Sequence, residues 1–433
     1  MESHQSINSG NDKKDVIKLS ILTFLILLFL VALGSGCKEK DCPNQLIQYS
    51  EPVFVSLDKI RVTASFERAR EIEQPGKIYY KDGYIFINEI DSGIHVIDNR
   101  VLSNPRPIGF IKLPGNKDLA ARGNYMYADS YMDLVVLDIS NKHQIFESSR
   151  VEDVFDNYYY HYADMGVLVD YVVREEEVEV DCDTEIMIDT WGLFDGGGIA
   201  NDALFSRAES ASNVTTGIGG SLARFTITDD YLYTINDWRM KLFDITDLAN
   251  PSEGNTVDLG WGIETIFPYG DKLFLGARNG MHIYDNSNPE LPEFISTYSH
   301  INTCDPVVVQ DDYAYVTLRS GNTCENFTNQ LDVIDIKDVN NPKLVETYPM
   351  ENPHGLGING TCLFIAEGDF GLKVFNATDV LKIDQNLIAH HKDVHALDVI
   401  PLNDVLFMIG NDGLHQYSYD CGQKFQYLST ISF

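Results

Sequence analysis

The chain has 433 residues, 44% of them hydrophobic, which is enough apolar material for a large core. Acidic residues number 65 against 32 basic ones, a net charge of −33 that repels phosphate backbones and anionic headgroups and argues against nucleic acid as a partner. No Gly-x-Ser-x-Gly elbow, Walker loop or Cys-x-x-Cys pair occurs, so common hydrolase, NTPase and zinc-module chemistry lacks its usual residues.

Residues 1–36 read as a signal peptide. Lys13, Lys14 and Lys18 precede an apolar run from Leu19 to Leu33 that is short for a membrane crossing. Gly34-Ser35-Gly36-Cys37 follows, and it resembles a bacterial lipoprotein lipobox, although Leu33 stands one place further back than the usual pattern. That resemblance implies cleavage before Cys37 and lipidation there, with residues 37–58 as a tether. An uncleaved anchor helix or plain secretion are the alternatives. Two acyl chains hold a protein at a membrane where one is marginal. Lys38-Glu39-Lys40-Asp41 resembles the charged tract that sends some Bacteroidetes-type lipoproteins to the cell surface. The expected location is the bacterial envelope, at the outer membrane, periplasmic or surface-exposed.

From residue 59 onward a short motif recurs. Apolar strands end in Asp98, Asp138, Asp244, Asp285 and Asp335, and degenerate copies end in Asn376 and Ser418, spaced by roughly 40 residues apart from one wide gap. Each unit reads as a hairpin with a polar turn such as Asp82-Gly83, a third strand closing on Asp, and a fourth strand after a turn often carrying Asn-Pro. A four-stranded sheet cannot bury both faces alone, so radial repetition is expected. The fold class is all-β: a β-propeller over residues 59–433 of seven four-stranded blades, with units beginning near Gly76, Gly115, Ser221, Gly262, Thr303, Pro353 and Val394. Six or eight blades are the alternatives. Each repeated Asp precedes a tight turn, where its carboxylate caps backbone N–H groups rather than binding metal.

Val136-Leu-Asp-Ile-Ser140, Phe243-Asp-Ile-Thr246 with Asn250-Pro251, and Ile334-Asp-Ile-Lys337 with Asn341-Pro342 together resemble the LVIVD repeat family of bacterial exported proteins. The resemblance covers roughly residues 76–433 apart from one insertion, and it implies a propeller at the envelope. It carries no chemistry. Residues 156–220 interrupt the repeat between the second and third units and are expected on the channel-mouth face. Their aromatic content (Tyr158, Tyr159, Tyr160, Tyr162, Trp191, Phe194) suits partner contact. Cys304 and Cys324 fall within one unit and are the best disulfide pair; Cys362, inside a strand pattern, reads as a small buried hydrophobe. The pairing of Cys42, Cys182, Cys362 and Cys421 stays open.

In a propeller the links into each first strand open on the same face as the second-to-third hairpins. Counting back from each second strand gives Gly76, Lys117, Ala223, Glu264, Asp305, His354 and Leu397 as equivalent positions, with His395 nearby. Glu264, Asp305 and His354 on neighbouring blades form a candidate ligand set for a divalent cation or an acid–base constellation, and a hydrated polar funnel is the bland alternative. Lys117 could neutralise the carboxylates instead. Trp238 and Phe370 at hairpin tips suit stacking on a sugar or a peptide. The expected function is non-catalytic binding of a protein or carbohydrate partner at this face, with no cofactor. A propeller-type metal-dependent enzyme and a structural scaffold of an envelope complex are the alternatives.

Overall fold

A computed structural model describes residues 45–155, 161–162, 165–178, 219–221, 223–299, 306–320, 328–421 and 424–433. Cys37, Cys42, Cys182, Asp305 and the Cys304–Cys324 pair lie outside them. Seven four-stranded antiparallel blades stand in a ring. Their first strands are Pro75–Lys81, Leu119–Arg122, Phe225–Thr228, Ile263–Tyr269, Val307–Gln310, Leu356–Asn359 and Asp398–Leu402, and we number the blades 1 to 7 in that order. From blade 1 to blade 7, successive first strands touch around the centre. The fold is a β-propeller, as the period of the sequence predicts.

Local chemistry explains each blade. The two-residue turn between first and second strands opens on Asp82, Gly123, Asp229, Gly270, Asp311, Gly360 or Asn403, and all seven have φ between +50° and +58°. Only Gly, Asn and Asp tolerate that region cheaply, so the turn residues follow from backbone geometry. At the end of the third strand the repeated Asp accepts the N–H two residues on. Ser140 N to Asp138 Oδ1 is 2.8 Å, Thr246 N to Asp244 Oδ1 2.8 Å, Ser287 N to Asp285 Oδ1 2.8 Å and Lys337 N to Asp335 Oδ1 2.9 Å. A second turn of the same kind follows at Asp247, Asp338 and Asp379. The motif is structural, as its position predicts. A bulge then shifts the register between third and fourth strands in every blade, adding local twist where the sheet splays outward.

The core lies between blades. Phe86, Val96, Leu119, Met126, Val136, Phe225 and Phe243 are buried together across blades 1 to 3, and Phe274, Ile283, Val308, Val333, Leu356 and Leu363 do the same across blades 4 to 6. Ring closure uses no shared strand: the blade 7 sheet consists of Asp398–Leu402, Val405–Gly410, Gly413–Tyr419 and Phe425–Ser432. Ile78, Ile85 and Ile97 instead pack on Ile400, Phe407 and Leu414. The buried amides of Asn99 and Gln416 exchange two hydrogen bonds of 3.0 and 2.8 Å.

Three features depart from the sequence reading. Gln45–Val55, expected within a tether, is a strand that pairs with Gly166–Val178, which pairs on its other edge with His161–Tyr162, and Ser65–Glu67 adds a fifth strand to blade 1. Of the described residues, 45–51 and 173–178 belong to one compact unit and the rest to another, which holds the blades. In the smaller unit Arg174 pairs with Glu51 at 2.6 Å. The third departure is Cys362, which is no isolated hydrophobe. It forms a disulfide with Cys421, Cα atoms 5.2 Å apart, linking blade 6 to the end of the third strand of blade 7. Among the described residues no helix is long and apolar enough to cross a membrane.

Candidate binding site at the channel mouth

Hairpin register sets which residues share the mouth. Four residues before the last paired residue of each first strand stand Lys77, Asp118, Arg224, Thr265, Pro306, Gly355 and Asp398. The ring expected from sequence lies one residue earlier, and in a strand one residue reverses the side-chain direction. The buried charges accordingly sit at Lys77, Asp118 and Asp398. Lys77 pairs with Asp118 across blades 1 and 2, and burial lowers the lysine's pKa. Asp118 Oδ2 also accepts the N–H groups of Arg224 and Phe225 at 2.8 and 3.2 Å, tying in blade 3. Asp129 accepts Lys117 N and Asp118 N at 2.7 and 2.9 Å, yet burial pushes its carboxyl up to about 7. Asp398 is fully buried, its pKa raised by desolvation, and its Oδ1 accepts Ser221 Oγ at 3.1 Å. Ser221 Oγ in turn accepts Leu356 N at 3.1 Å. Gly219–Ser221, the end of the insertion, therefore lies against the first strands of blades 6 and 7.

The expected site residues that are described each meet neighbours of their own. Glu264 is held by Arg278 at 3.1 Å, and burial raises its pKa. His354 Nε2 faces Asn352 Nδ2 at 3.1 Å, and its carbonyl accepts Thr317 Oγ1 at 2.9 Å. His395 contacts Asn411 at 3.2 Å and Asp369 at 3.6 Å. Lys117 reaches Asp91 at 3.7 Å rather than Glu264. Among the described residues, the ligand-type side chains that converge within 4.8 Å are Glu351, Glu367 and His390, a group without Glu264 or His354. Lys373 Nζ lies 3.2 Å from Glu351 and 2.6 Å from Glu367, so an ammonium already supplies the positive charge there.

What the mouth does assemble is an aromatic rim. Trp238 and Trp261 are 52% and 51% exposed, and Phe370 is 46% exposed on the blade 6 hairpin. The loops carrying the two tryptophans are bonded to each other: Leu259 N to Trp238 O at 2.8 Å, Gly262 N to Asp237 O at 2.9 Å and Ile263 N to Asp237 O at 3.2 Å. Asn236 Oδ1 accepts Trp238 N and Arg239 N at 2.9 and 2.7 Å, which rigidifies the tip. Arg278, anchored by Glu264, stands 5.1 Å over the Trp261 ring in a cation–π contact. Sequence reasoning found Trp238 and missed Trp261, because Trp261 sits in a link between blades where only the folded ring brings it beside the hairpin.

Inside the ring a cavity of about 590 Å³ is lined by the first strands of blades 4 to 7 and by Gly219–Ser221.

The fold defines a class, the β-propeller, and two of its blades are similar to a known repeat. The LVIVD repeat model matches residues 115–153 and 302–349, which fall on blades 2 and 5. No curated protein matches the chain. Among solved structures, the computationally designed Ika8 protein shares 10% identity, with 84% of this chain and 89% of that one covered, at a TM-score of 0.48. Hsv2p of Kluyveromyces lactis shares 10% identity, with 83% and 98% covered, at 0.45. BamB from Moraxella catarrhalis shares 10% identity, with 78% and 82% covered, at 0.44.

Proposed function

We propose that this chain is a binding module of the bacterial envelope, held to the membrane by a lipid on Cys37, that captures a protein or carbohydrate partner on its channel-mouth face. The observation that carries this reading is the rigid Trp238–Trp261 rim. Exposed indoles on hydrogen-bonded loops supply contact area at little entropic cost, and the adjoining Arg278–Glu264 pair offers donors and acceptors for hydroxyls or amides. Acid–base or metal chemistry at Glu264, Asp305 and His354 draws no support from Glu264, whose carboxylate is committed to Arg278.

Partner capture from solubilised envelope, together with binding to a glycan panel, tests the reading. Trp238→Ala/Trp261→Ala should abolish capture while the melting temperature holds. Phe294→Ala, an exposed aromatic on the outer strand of blade 4, should leave capture intact. Capture that survives the double substitution rejects the rim. Cys37→Ser should move the protein from the membrane pellet to the supernatant, and a wild-type chain that never takes up labelled fatty acid rejects the anchor.

A further inference from the structure

The cavity within the ring is a second site, independent of the mouth. Its body is apolar: Phe267, Val308, Leu356, Ile358, Ile400 and Pro401 line it. Buried Gly219–Ser221 closes the inner end, fixed there by the Ser221 bonds to Asp398 and Leu356. The other end reaches the first hairpin turns, where Gly270, Asp311 and Gly360 are exposed. At about 590 Å³ it falls in the range of small-molecule pockets.

The face onto which this pocket opens holds more carboxylates than ammonium groups. The turns and strand ends on this face present Asp271, Asp285, Asp311, Asp312 and Asp335 in blades 4 and 5. Lys272 answers Asp271 and Asp285 at 2.8 and 3.6 Å, and Lys337 answers Asp312 and Asp335 at 3.7 and 3.9 Å. Asp311 lines the pocket itself, and its backbone N–H donates to Tyr269 Oη at 2.7 Å, which fixes the turn. Its carboxylate has no ion pair among the described residues. A chain of net charge −33 also concentrates cations and repels anions.

We propose that this pocket binds a small hydrophobic amine, its apolar body among Phe267, Val308, Leu356 and Ile400 and its ammonium at Asp311. An apolar cavity favours the hydrocarbon, and a carboxylate at the rim pairs with the head without burying either charge.

Calorimetric titration of the full chain with n-octylamine, n-octanol and n-octanoate at one ionic strength tests this. Octylamine should bind one to one, and octanoate at least about tenfold more weakly. Asp311→Asn, tolerated at this turn, should weaken octylamine about fivefold and leave octanol unchanged. Val308→Phe, which fills the cavity, should remove the site for both. Octanoate binding as tightly as octylamine overturns the proposal, as does no binding at all. So does octylamine affinity unchanged by Asp311→Asn, a surface variant that settles the matter even where Val308→Phe fails to fold.

Discussion

The ionisation of an aspartate in this fold depends on which end of a strand it occupies. At the ends of third strands the carboxylates are half-buried at the surface and accept N–H bonds, and those bonds favour the charged form. Arg100 beside Asp98 lowers that carboxyl to about 2, and the Thr246 and Ser287 contacts lower Asp244 and Asp285. At the mouth burial wins, and Asp129 rises to about 7. The two kinds respond to pH in opposite ways. A depressed carboxyl stabilises the fold above its unfolded value near pH 4 and loses that contribution as pH falls through about 2. A raised one contributes fully below about pH 4 and loses its contribution as pH rises through about 7. Asp129→Asn should therefore flatten the decline in melting temperature between about pH 4 and 7, while Asp98→Asn flattens the acid limb below pH 4. Calorimetric melts from pH 2 to 8 check both, and an Asp129→Asn profile parallel to wild type would show that burial does not hold its proton. The turn role of the repeated Asp was legible in the sequence because it is local, spanning two residues. The mouth ring was not, because side-chain parity depends on hairpin register, and an offset of one residue exchanged Lys117 for Asp118 and Leu397 for Asp398.

At the scale of the element, hairpins announce themselves and cross-links do not. Turn pairs such as Asp229-Asp230 and Gly270-Asp271 mark their strands through a backbone requirement that any short window reveals. The bulge in every fourth strand leaves no such mark, since an extra residue in an exposed outer strand alters no apolar pattern. Cys362 shows the same limit. A buried strand position fits a free thiol and a disulfide equally, and only the docking of blade 7 on blade 6 brings Cys421 within reach. Closing a loop of 59 residues, the bridge stabilises the protein by about 4 kcal/mol in the chain-entropy model. Cys362→Ser/Cys421→Ser should lower unfolding free energy by that order in urea titration, and reduction of the wild type should reproduce the loss. Peptide mapping that recovers Cys362 and Cys421 as free thiols from an oxidising compartment would remove the bridge. An Asn359 Nδ2 bond to Tyr419 Oη at 2.7 Å holds the same two blades together, so their interface should survive the substitution.

Over the whole molecule, seven blades make a stable ring only if the last meets the first. The repeat period gave the blade number in advance, but the manner of closure joins residues 317 positions apart and has no sequence signature. Closure here repeats contacts used between other blades. Ser429 Oγ donates to Leu102 O at 2.6 Å across the seam, as Ser149 does to Ala249 O at 2.6 Å and Ser296 to Val339 O at 2.5 Å elsewhere. The seam adds the Tyr80–Phe407 stack, with centroids 5.2 Å apart, and the reciprocal Asn99–Gln416 pair. Removing one amide strands its buried partner, so Asn99→Leu or Gln416→Leu alone should each cost about 1–3 kcal/mol. The double variant replaces both by apolar groups and should cost clearly less than the sum of the singles, a coupling of about 1 kcal/mol or more. Urea titration of the four proteins measures it. Hydrogen exchange should speed up first in Pro75–Lys81 and Phe425–Ser432, the first and last strands of the ring. Strictly additive losses, or faster exchange confined to the blade that carries each substitution, would mean that the amide pair stabilises its own blades and does not close the ring.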